Sequence, residues 1–99
     1  MRKTLSVSSS VVAAKDQVSS DLGGEVAILH LEAGVYYGLD AVGARIWSLI
    51  QEPKTIGEIR DILVSEYEVG ADRCESDVIA LLQELADEGL IEVRDGTFT

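Results

Sequence analysis

The hydrophobic positions of this chain change their period near residue 40. Before it, apolar residues come in short runs suited to strands: from Val11 to Val18, from Val26 through Ala27, Ile28 and Leu29 to Leu31, and from Val35 to Leu39. After it, they recur three and four residues apart: Val42, Ile46, Leu49 and Ile50, then Ile59, Ile62 and Leu63, then Val78, Leu81, Leu82 and Leu85. The first pattern predicts strands and the second amphipathic helices. The strands are expected over residues 11–18, 25–31 and 35–39. Ser19-Ser20-Asp21-Leu22-Gly23-Gly24 and Glu32-Ala33-Gly34 supply the turns between them. Two short connections in succession imply a three-stranded antiparallel meander, with the first and third strands at its edges.

Helix punctuation follows. Asp40 stands where the third strand meets the first helix, expected over 41–51, and its carboxylate suits an N-cap. Pro53 stops that helix. Thr55 and Glu58 have the spacing of a capping box for the second. The third is expected over 73–88, with Asp72 as cap and Gly89 as the left-handed residue that ends it. Leu90-Ile91-Glu92-Val93 reads as a short terminal strand or extended tail. The expected fold is α+β and winged helix-turn-helix-like: a three-stranded meander followed by three helices. It forms one domain over residues 1–99, with the serine-rich 1–8 flexible.

Charge narrows the partners. Eight basic against 18 acidic residues give a net charge of −10 over 99 residues. Such a chain repels polyphosphate and anionic lipid, so neither nucleic acid nor membrane is an expected partner. The third helix is the sharpest case. Asp72, Glu75, Asp77, Glu84, Asp87 and Glu88 face Arg73 alone in charge, which suits no major-groove recognition helix. The start, Met1-Arg2-Lys3-Thr4-Leu5-Ser6, has no apolar run behind its basic residues, so no signal peptide is expected. The expected location is the cytoplasm.

The chemistry-bearing residues are sparse. His30 is the one histidine and Cys74 the one cysteine. No local sequence pairs them, and general-base or nucleophilic catalysis needs a positioned partner. The acids lack ligand spacing, so no metal is expected, and no glycine-rich phosphate loop is present. The expectation is a protein that is not an enzyme and has no cofactor. A free strand edge offers another function: its N–H and C=O groups can pair with an incoming chain. In the third strand, Val35, Tyr37 and Leu39 point one way and Tyr36 and Gly38 the other. The pattern leaves open which tyrosine would face a ligand. The apolar arc of the third helix is wider than one packed face needs. Leu82 and Leu85 suit a core, while Cys74, Val78 and Leu81 suit a groove. Trp47 is expected in the core.

Gly34-Val35-Tyr36-Tyr37-Gly38-Leu39-Asp40, then Gly43-Ala44-Arg45-Ile46-Trp47, then Thr55-Ile56 with Glu58-Ile59, then residues 77–85 and Gly89-Leu90-Ile91 together resemble the PqqD-like family. These are small peptide-recognition proteins of ribosomal peptide modification systems. The resemblance is nearest to the standalone leader-binding subunit of lasso peptide maturation, and it spans residues 11–93. The family usually carries Asn at the Asp40 position and often an aromatic residue at Leu81. The resemblance implies that the leader segment of a precursor peptide pairs antiparallel with the third strand beside the third helix. The bound leader then passes to a transglutaminase-like cysteine protease, and a separate cyclase closes the ring. A peptide chaperone for a radical SAM or other modifying enzyme is the alternative. Strand chemistry and resemblance together nominate Val35, Tyr36, Tyr37, Gly38 and Leu39 for the strand contact. For the groove they nominate Cys74, Asp77, Val78, Leu81 and Leu85, with Asp77 or Glu84 set to meet a basic leader side chain.

Overall fold

Asp40 turns a strand into a helix with no loop between them. In the computed structural model, which describes residues 5–95, β1 (Ser9–Ala13), β2 (Gln17–Asp21), β3 (Val26–His30) and β4 (Val35–Leu39) come first. α1 (Ala41–Leu49), β5 (Lys54–Thr55), α2 (Ile56–Glu66), α3 (Ala71–Asp87) and β6 (Ile91–Asp95) follow. The Asp40 carboxylate accepts a hydrogen bond from Gly43 N–H at 2.9 Å, so one of the free donors in the first turn of α1 is satisfied as the strand ends. Thr55 and Glu58 form the expected capping box: Glu58 N–H donates to Thr55 Oγ1, and Thr55 N–H to Glu58 Oε1.

The meander is β2-β3-β4, antiparallel throughout, with β4 at one edge. It differs from expectation at its start. The single strand expected over 11–18 is two strands, β1 and β2, and they belong to different sheets. Backbone bonds at the break explain the change of sheet. Ala13 N–H donates to Ile50 O at 2.8 Å and Ala14 N–H to Leu90 O at 2.9 Å, which ties this point of the chain to the C-cap of α1 and to the turn between α3 and β6. β1 instead pairs with β5 and β6 in a second small sheet. The terminal segment is therefore a strand, matched residue for residue from Ser9↔Asp95 to Ala13↔Ile91. Residues 5–8, expected to be flexible, are tied down: Leu5 is buried, and Val7 O accepts from Gly57 N–H. Residues 1–4 lie outside the described residues.

α3 begins earlier than expected. Gly70 is its N-cap and makes no side-chain cap bond. Asp72 therefore lies inside the first turn instead of capping it, where its charge still complements the positive end of the helix. The far end is as expected. Gly89 has φ +73°, Gly89 N–H donates to Ala86 O, and Leu90 N–H to Leu85 O. These two bonds make a Schellman motif, which turns the chain back toward β6.

One core joins the elements. Ile28 of β3, Leu39 of β4, Ile46, Trp47 and Ile50 around α1, Ile59 and Leu63 of α2, and Val78, Leu82 and Leu85 of α3 are all buried in it. Trp47 and Leu82 are thus core residues, as expected, and Leu85, nominated for the groove, is a core residue too. Val42 is not; it is 44% exposed.

Gly89→Ala is expected to destabilise the protein by about 1–2 kcal/mol, the cost of holding a Cβ-bearing residue in the left-handed region. The new Cβ would also lie 3.3 Å from His30 Nε2. Urea denaturation of the two proteins measures the difference.

Candidate functional site

The hydrogen-bond parity of the meander decides what β4 offers to an approaching chain. Leu22 N–H donates to Glu25 O, and Leu31 N–H to Asp16 O. With the β2–β3 register, these bonds assign the odd-numbered residues of β3 to β2. In an antiparallel ladder a residue's N–H and C=O point to the same neighbour, and the next residue's point to the opposite side. Val26, Ile28 and His30 therefore bond to β4, where their partners are Leu39, Tyr37 and Val35. Tyr36 and Gly38 remain, and both direct N–H and C=O away from the sheet. The open edge consists of the backbone of these two residues.

Side chains alternate in step. Val35, Tyr37 and Leu39 lie on the face toward the helices, and Leu39 is buried in the core. Tyr36 lies on the other face and is 72% exposed. Gly38 has open space where a side chain would be, so nothing of its own shields the edge.

Beyond the end of β4 lies a groove of about 440 Å³. One wall is the first half of α3: Cys74, Asp77, Val78 and Leu81. These positions recur three and four residues apart and so share a helix face. The opposite wall is Asp40, Val42, Gly43 and Ile46, and the floor holds Leu63, Tyr67 and Val69. The lining is largely apolar, with Asp40 and Asp77 as its acids. Gly43 sets the approach of α1 to β4: a Cβ there would meet Leu39 Cβ and Cδ2 at 3.2 Å.

Further along α3, Glu84 accepts a hydrogen bond from the Tyr37 hydroxyl. This bond ties the edge strand to the helix. It also pushes the Tyr37 phenol up to about 12; partial burial and the negative charges of Glu84 and Glu88 add to the effect. Cys74 is a poor nucleophile here. Burial and the Asp77 charge push its thiol up, with Arg60 opposing, and Sγ lies 3.9 Å from the Arg60 carbonyl oxygen to which it donates. His30 is far from it. His30 Nε2 lies beside the position after the C-terminus of α3, whereas Cys74 is in the first turn, about 20 Å away along the axis at 1.5 Å per residue. Among the described residues no group of three or more His, Cys, Asp or Glu could hold a metal, and no helix is long and apolar enough to cross a membrane.

The structure thus brings Cys74, Asp77, Val78 and Leu81 together in the groove and sets Val35 to Leu39 at the edge. It does not place Leu85 there: Leu85 is fully buried in the core, one helical turn past Leu81. Val42, Ile46, Leu63, Tyr67 and Val69 complete the groove, and the sequence reading missed them as a site. The signal available was Val42, an apolar residue at the very start of α1.

The sequence pattern of the family described as Coenzyme PQQ synthesis protein D (PqqD) matches residues 25–91. The chain belongs to the PqqD family. The match takes in the edge strand, the groove and all three helices. Among solved structures, TbiB1 in complex with the TbiA(beta) leader peptide is 43% identical to this PqqD-family chain. The likeness covers 82% of this chain and 94% of that one, with a TM-score of 0.77. A lasso peptide synthetase B1 complexed with the leader peptide shares the fold, at 22% identity and a TM-score of 0.74, over 83% of this chain and 96% of that one. A PqqA binding protein of Bradyrhizobium diazoefficiens is 34% identical over 59 residues, which cover 59% of this chain and 57% of that protein. The match thus spans little more than half the length of this curated relative.

A spectrophotometric titration of tyrosinate absorbance should find one phenol ionising near 12, and Glu84→Gln should bring it back toward 10. The folded state holds this proton more tightly than the unfolded chain does. The stabilisation it supplies is therefore complete below pH 10 and lost as pH rises from 10 to about 12. Urea midpoints of the two proteins should converge over that interval.

Proposed function

We propose that this protein binds the leader segment of a ribosomally made precursor peptide and performs no chemistry on it. The observation that carries this reading is the open β4 edge, Tyr36 and Gly38, lying beside the apolar groove of α3. An incoming strand antiparallel to β4 exchanges four backbone hydrogen bonds with those two residues. Each is worth about 0.5–1.5 kcal/mol net, and ordering the peptide offsets much of that gain. Backbone pairing is also blind to sequence, so selection falls to side chains. An apolar leader residue enters the groove against Val42, Val78 and Leu81, and a basic residue meets Asp77 or Glu84.

TbiB1, captured with a leader peptide, supports this reading through its 43% identity. In the lasso setting the bound leader goes on to a transglutaminase-like cysteine protease that removes it, and a cyclase follows. The PqqA-binding relative supports a second reading, a peptide chaperone for a radical SAM enzyme, over a shorter match.

Calorimetry should detect binding of a synthetic leader with no other protein present. The probes are the leaders of short precursors encoded beside this chain, with the TbiA(beta) leader as a heterologous one. No heat from any of them would end the proposal. Leu81→Glu should weaken binding at least about tenfold, since a carboxylate in an apolar groove is left without a partner, while Leu31→Glu on the β3–β4 turn should leave it unchanged. A proline scan of the leader should show losses at alternate positions, because only every second peptide N–H donates to β4.

A further inference from the structure

α1 has a second cleft on its other side. It lies between α1 and β2 and has a volume of about 640 Å³. Ser19 and Asp21 of β2 face Ala44, Arg45 and Ser48 of α1 across it, with Gln51 just past the helix and Trp47 also in the lining. The parity that frees Tyr36 and Gly38 on β4 also applies here. It directs the backbone N–H and C=O groups of Gln17, Ser19 and Asp21 away from β3, so this margin of the sheet is a second open edge.

Three observations say what the cleft accepts. The first is a donor with nothing to bond. Trp47 is 4% exposed, and its Nε1 has no hydrogen-bond partner; a buried donor left unmade is costly and uncommon. The second is that the cation of the cleft is already answered. Arg45 makes a two-pronged ion pair with Glu66, at 2.9 and 2.6 Å, and the Asp21 carboxylate accepts from Gly23 and Gly24 N–H. No unanswered cation remains to draw an anion, whereas a donor and a strand edge suit an extended polypeptide. The third is continuity. Tyr67 lines both this cleft and the α3 groove, so the two meet at its ring around the start of α1.

Direction then selects the occupant. A peptide antiparallel to β4 has its N-terminal side at Asp40, where α1 begins. We propose that the leader residues N-terminal to the strand-paired segment cross Tyr67 and lie in the cleft between β2 and α1, and that the Trp47 indole, whose N–H is sealed off in the free protein, shifts to donate to a peptide acceptor. This rests on the leader-binding reading and extends it: the recognised leader is longer than the strand-paired segment, and its leading part is polar and not acidic.

The chain has a single tryptophan, so its ¹⁵N-labelled form gives one indole cross-peak. The probes are the full-length leader that binds most tightly in calorimetry and the same peptide cut back to its strand-paired segment. Both should shift the Tyr36 and Gly38 amides. Only the full-length leader should shift the indole peak, and truncation should weaken binding about two- to tenfold, the span of one net hydrogen bond. Ser48→Lys, an exposed substitution that fills the cleft, should weaken the full-length leader by a similar factor and leave the truncated one unaffected. An indole peak unmoved by the full-length leader, or moved equally by both peptides, overturns the inference while leaving strand pairing intact. If the Tyr36 and Gly38 amides stay still with both peptides, strand pairing itself fails and the inference fails with it.

Discussion

The junction at Asp40 constrains everything around the groove. A single carboxylate bond to Gly43 N–H starts α1 at the residue after β4 ends, and such a cap is worth about 1 kcal/mol. Its structural effect exceeds that figure. With no loop to absorb error, the direction of β4 sets the direction of α1, and α1 then forms a wall of the groove. Gly43 completes the junction, because Leu39 packs where its side chain would stand. A looser connection would let the edge strand and the groove move independently, and a peptide spanning both would meet a different surface each time.

α3 supplies the opposing constraint. Val78, Leu82 and Leu85 anchor it in the core, which leaves the adjoining face free to line the groove with Leu81 and Asp77. The Tyr37–Glu84 bond fastens this helix to the strand from the solvent side. Strand and helix are thus held together from two sides: by the core on one, by a phenol and a carboxylate on the other. Such preorganisation lowers the ordering cost on the protein's side of any complex. The acids of α3, Asp77 and Glu84 among them, also set the character of the groove rim.

Much of this was legible in the sequence, and the exceptions have physical causes. Period changes gave the strands and helices, and Asp40, Thr55 with Glu58, and Gly89 marked real boundaries, because capping chemistry is local. The split of the first strand was not legible. Residues 11–18 read as one run, and the break at Ala14 depends on bonds to Ile50 and Leu90, far away in the chain. The same holds for β5, whose two residues pair only because β1 is beside them. Within the site, the α3 wall was readable from helical spacing up to Leu81, but periodicity could not separate Leu81 from Leu85. One faces the groove and the other the core, and the difference is set by where α1 and the α2–α3 connection lie. Val42 and Tyr67 escaped for the same reason: their partners across the groove are distant in sequence.

The division of labour along β4 has an evolutionary consequence. Its outward bonding comes from atoms that every residue except proline carries, so Tyr36 and Gly38 can serve without encoding any preference. Under the proposed function, preference resides instead in the walls, at positions such as Val42, Asp77 and Leu81. These are separate from the strand and from most of the core that supports it. A change of client peptide can therefore be made by altering wall residues one at a time, while the attachment by which any client is held persists through every intermediate.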